Sequence, residues 1–86
     1  MIKITKAKKG IWVTFISDED VVLKGSWNNW IEQKMKKRKD GKYSISKVLK
    51  KGTYEFGYLS QKGWIIEKNL PITDNPYGGK NSILKI

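Results

Sequence analysis

Apolar and polar residues alternate along most of this chain with a period of two. Ile11, Val13 and Phe15 interleave with Trp12, Thr14 and Ile16, which predicts a strand with the first three turned inward. Val21–Lys24 reads as a short strand after the polar turn Ser17–Asp20. Lys39-Asp40-Gly41 is a hairpin signal, because Asp-Gly supplies the positive φ angles of a tight turn. Alternation resumes at Tyr43–Ser46, again at Tyr54, Phe56 and Tyr58 after a turn at Lys50–Gly52, and at Trp64–Ile66 after a turn at Gln61–Gly63. Strands at Ile2–Lys6 and Ser82–Ile86 complete the set, with Asn69–Lys80 read as a loop from its two prolines and paired glycines. No helical period persists over ten residues. About seven short strands with turn signals throughout predict an all-β sandwich or small barrel.

At 86 residues the expectation is one domain, 1–86, with an aromatic-rich core. Cysteine and histidine are both absent, so the usual zinc ligand sets and the Ser–His and Cys–His nucleophile pairs cannot be assembled. No metal or other cofactor is implied. Retaining and inverting glycosidases need two carboxylates across a cleft, and the eight acids here are scattered over turns and strand ends, so no enzyme is expected. The N-terminus lacks the apolar stretch of a signal peptide, and no run approaches the ~18 apolar residues of a membrane span. The expectation is a cytoplasmic protein without membrane association.

The net charge of +10 raises polyanion binding as a possibility. Nine of the 18 basic residues fall between Lys34 and Lys51 beside a single acid, Asp40. Read as a hairpin, this segment carries its lysines on the solvent side, where they discourage edge-to-edge pairing.

Four tryptophans remain to be placed. Trp27 follows a strand end in an apolar context and is assigned to the core; Trp12 falls opposite Ile11, Val13 and Phe15, in an environment the pattern leaves open. Trp30 and Trp64 sit in or beside turns, where an exposed ring has the rigid flat face that a sugar ring stacks on. A stack burying about 50 Å² on each partner gives on the order of 1–2 kcal/mol. Two stacks with a few hydrogen bonds correspond to roughly micromolar to millimolar affinity.

Gly25-Ser26-Trp27-Asn28-Asn29-Trp30 is similar to the G-[SD]-F-N-N-W signature of carbohydrate-binding module family 48, which includes the glycogen-binding domain of the AMP-activated protein kinase β subunit. Gly52–Tyr58 followed by Trp64, and Asn75–Ser82, resemble that family's next two blocks in the same order. The resemblance implies an immunoglobulin-like β-sandwich that binds α-1,4-glucan such as glycogen or starch without cleaving it. By position it makes Trp30 and Trp64 the sugar-stacking residues, Asn81 the amide that holds sugar hydroxyls, and Tyr77 a loop residue reaching into the glucan. The family's ligand-contacting lysine corresponds to Gly57, which offers no side chain; Lys62, Lys68 and Lys80 are the candidate replacements. Action in trans, as an adaptor or targeting subunit for a glycan-metabolising enzyme or kinase, would follow. Two alternatives stand beside it: a sandwich that has lost sugar binding and serves protein interaction, and a nucleic-acid binder using the Lys34–Lys51 segment.

Overall fold

Alternation puts one row of each strand on an inner face, and two such faces close on each other. The computed structural model describes all 86 residues. The chain forms β1 (Ile2–Ala7), β2 (Gly10–Ser17), β3 (Val22–Gly25), β4 (Gln33–Lys34), β5 (Lys36–Lys37), β6 (Tyr43–Leu49), β7 (Thr53–Ser60), β8 (Gly63–Ile65), β9 (Ile72–Asp74) and β10 (Lys80–Lys85). A single 3-10 turn, Ser26–Asn28, follows β3, and no helix is long and apolar enough to cross a membrane. One antiparallel sheet runs β1-β2-β6-β5. The other runs β4-β3-β7-β10-β9, with β8 also paired to β7. The all-β sandwich expected from the sequence is the observed architecture.

Ile11, Val13 and Phe15 face inward as predicted, and meet Leu23, Phe56, Tyr58 and Leu84 from the other sheet. Phe15 and Phe56 pack edge to face with ring centroids 5.2 Å apart. Trp27 joins them, 5.3 Å from Phe15 and 6.0 Å from Phe56. Each such aromatic pair contributes about 0.5–1.5 kcal/mol beyond the area it buries.

Three strands were not foreseen: β4, β5 and β9, each two or three residues long and too short to show alternation. Their effect on the basic segment is a correction. Lys34–Lys51 is not one hairpin: β4 pairs with β3 in one sheet and β5 with β6 in the other. The chain crosses between sheets at Met35, which is buried and plugs the gap. Nor do all the lysines point to solvent. Lys47 lies opposite Val13 on the inner row of β6, and burial holds its ammonium below the usual lysine range.

Behind β7, the Tyr58 hydroxyl donates to Glu67 Oε1 at 2.9 Å, and the same carboxylate oxygen pairs with the Met1 ammonium at 2.9 Å. Burial, and then the Glu67 charge and hydrogen bond, push the Tyr58 phenol well above its usual value. In the unfolded chain this phenol ionises near pH 10; in the folded chain it keeps its proton beyond that. The unfolded state therefore binds fewer protons above about pH 10, and stability falls as pH rises there. Lys47 acts with the opposite sign and is present in any Tyr58 variant. Tyr58→Phe is expected to flatten the alkaline decline by up to about 1.4 kcal/mol per pH unit, measured by urea unfolding between pH 9 and 11.

Candidate functional site

The outer face of the second sheet carries a groove of about 730 Å³. All four residues singled out in the sequence, Trp30, Trp64, Tyr77 and Asn81, line it together with Lys24, Glu55 and Asn75. They arrive from four parts of the chain.

The hexapeptide Gly25–Trp30 sends its two tryptophans to opposite faces. Gly25 closes β3 on the inner row, where an added Cβ would stand 2.3 Å from Trp27 Cη2; the missing side chain makes room for the indole. After the 3-10 turn, Asn29 and Trp30 both take left-handed backbone conformations, φ 60° and 64°. The Trp30 amide donates back to the Gly25 carbonyl at 3.0 Å and closes the reversal. Ser26 Oγ accepts from the Glu55 amide at 3.0 Å and ties the turn to β7. A bulky residue at positive φ is a strained arrangement. The side-chain oxygen of Asn28 is also buried without a hydrogen-bond partner. Local cost of this kind concentrates where a fold positions functional groups.

Trp64 comes from β8, which pairs Leu59↔Trp64 along β7. Its indole folds over Gly57, so that an added Cβ there would lie 2.2 Å from Cζ2. Its Nε1 donates to the Lys80 carbonyl at 2.7 Å, which fixes the ring. The glycine that looked like a lost lysine is therefore the seat of the Trp64 indole.

Asn81 is only 4% exposed. Its Oδ1 accepts from Asn75 Nδ2 at 3.2 Å and its Nδ2 donates to Glu55 Oε1 at 3.3 Å. One N–H and one lone pair of the amide remain for a ligand. Asn75 in turn organises the loop: its Oδ1 accepts from the Tyr77 amide at 3.0 Å and the Gly79 amide at 2.9 Å. That ring of bonds lifts Tyr77 to 95% exposure at the loop tip.

Lys62, Lys68 and Lys80, the expected replacements for the absent lysine, do not line the groove, and Lys80 is ion-paired with Asp74. Lys24 does line it. It stands directly across from Gly57 on β3, and the alternation Val22-Leu23-Lys24 carries the signal, since Leu23 is a core residue. Asn75 was also missed; its role depends on a side-chain-built loop that alternation does not report.

Comparison with known proteins gives a consistent result. Residues 12–86 match a family model described as the glycogen recognition site of AMP-activated protein kinase. The chain is similar to SNF1-related protein kinase regulatory subunit beta-2 of Arabidopsis thaliana, at 28% identity over 68 residues, 79% of this chain and 24% of that protein. It is also similar to Protein PTST homolog 2, chloroplastic, of the same plant, at 30% identity over 86 residues, 99% of this chain and 16% of that protein. The chain thus spans a quarter or less of the length of either relative.

Proposed function

Because this chain belongs to the family of the AMP-activated protein kinase glycogen recognition site, we propose that it binds α-1,4-linked glucan in the outer groove without cleaving it. The observation that carries the reading is the convergence of Trp30, Trp64, Tyr77 and Asn81 on one groove from three separate segments. Aromatic rings offer faces for the C–H patches of a sugar, and the amide and loop groups offer partners for its hydroxyls. Glu55 is the lone carboxylate of the lining, where glycoside hydrolysis calls for two. Trp64 lies on β8 of the second sheet and Trp30 in the turn after β3, whereas β5 and β6 of the basic segment belong to the first sheet and only Lys34 on β4 to the second, which favours sugar over nucleic acid. In this reading the module delivers an enzyme or kinase, in trans or within a longer chain, to a glucan.

A second reading, protein docking, has one observation on its side. Trp12 and Val48 are cross-strand neighbours on the outside of the first sheet, 46% and 51% exposed. The two readings use opposite faces.

Titration with maltoheptaose, followed by tryptophan fluorescence, is the test. A saturable response in the micromolar to millimolar range is expected, and Trp30→Ala should weaken it roughly tenfold or more, the value of one lost stack. No response at millimolar sugar from folded protein would sink the glucan reading. An unchanged isotherm in Trp30→Ala would move the site elsewhere.

A further inference from the structure

The groove lined by Trp30 and Trp64 also holds two charged side chains of opposite sign that form no ion pair with each other. Lys24, half-buried on β3, makes no ion pair. Glu55, half-buried on β7, has one carboxylate oxygen on the Asn81 amide and the other without a protein partner. Register places them diagonally: Lys24 is opposite Gly57, and Glu55 lies two residues before Gly57 on the same face. Diagonal positions on neighbouring strands stand about 7–8 Å apart, and the Trp64 indole is seated over Gly57, which neighbours both.

We propose that Lys24 and Glu55 form a polar clamp that fixes the orientation of the sugar ring stacked on Trp64. An ammonium only donates and an ionised carboxylate only accepts. A hydroxyl does both, so hydroxyls on the two sides of one pyranose satisfy the two groups together. The discrimination is therefore one of position: a ring flipped or shifted so that its hydroxyls no longer reach both groups loses a charge-assisted bond. Stacking on the indole is tolerant of orientation; the clamp supplies the discrimination that stacking lacks. Gly57 serves the clamp as well as the platform, because a side chain there would displace the indole on which the clamped ring stacks.

The inference rests on the glucan reading of the same groove, and its test separates the two. Lys24→Met keeps the apolar stem and removes the donor; Glu55→Gln keeps an acceptor for Asn81 and removes the charge. Each is expected to weaken maltoheptaose binding about fivefold, with the thermal midpoint unchanged, and Lys24→Arg should retain most of the affinity. The double variant should lose less than the product of the single losses, because both groups act on one ring. Lys24→Met and Glu55→Gln both binding within twofold of the native protein would overturn the clamp while leaving the glucan reading intact. A lowered midpoint with unchanged affinity would overturn it in favour of a structural role. Absence of binding by the native protein removes both.

Discussion

Gly57→Lys is expected to weaken maltoheptaose binding roughly tenfold or more, although it supplies the residue type that the family resemblance implies at this position. On chemical type alone the change adds a charged donor and should gain about fivefold. The geometry reverses the sign. A Cβ at Gly57 would stand 2.2 Å from Trp64 Cζ2 and 2.5 Å from Cε2, so the indole must leave its seat. When it does, its hydrogen bond to the Lys80 carbonyl breaks and one of the two stacking faces is lost. Gly57→Ala carries the same obstruction without the charge and should lose nearly as much. Because the ring lies on the outer face, the core packing and the thermal midpoint should change little. The Trp64 indole N–H resonance should move to an unbonded position. Tighter binding by Gly57→Lys would show that Trp64 is not the platform.

Trp27→Ala is expected to cost about 3–5 kcal/mol of stability. The indole fills the space between Phe15, Phe56 and Tyr54, with centroids 5.3, 6.0 and 6.1 Å away, and covers Gly25. Its Nε1 also donates to Gln33 Oε1 at 3.3 Å. A chain of 86 residues has a total stability of roughly 4–13 kcal/mol, so the substitution removes a large share of it. The midpoint should fall by about 12–24 °C or more, read by far-ultraviolet circular dichroism. Trp27→Phe, which leaves an aromatic ring against Phe15 and Phe56, should cost about 1–2 kcal/mol. A loss below 1 kcal/mol for Trp27→Ala would show that the cavity collapses or that this side chain is not part of the core.

These two glycine–tryptophan contacts also show what the sequence could and could not disclose. Period-two alternation correctly assigned Ile11, Val13 and Phe15 to the interior, because a half-buried strand has no other periodicity available. The candidate platforms were legible as aromatics beside turns. Their meeting was not. Trp64 reaches Gly57 only because β8 continues along β7 in the register Leu59↔Trp64, and such non-local pairing leaves no local trace. The opposite fates of Trp27 and Trp30 depend on left-handed conformations at Asn29 and Trp30, which a tryptophan does not advertise. Lys47 on an inner row, and Met35 buried at the crossing of the sheets, broke the rule that a basic run lies outside. Lys24 lies far from Gly57 along the chain and meets it only through the β3–β7 pairing, which sequence proximity does not report.

The turn that holds Trp30 has a consequence in time. Its backbone bond to Gly25, like the bond that pins Trp64 to Lys80, is made before any ligand arrives. On the proposed glucan reading, a site held in this way would associate at about 10⁵–10⁷ M⁻¹s⁻¹. Combined with a dissociation constant on the order of 10⁻⁴ M, that gives residence of roughly one to a hundred milliseconds. A partner carried by this module would not be parked on a polysaccharide. On that reading it would step between neighbouring glucan chains many times each second.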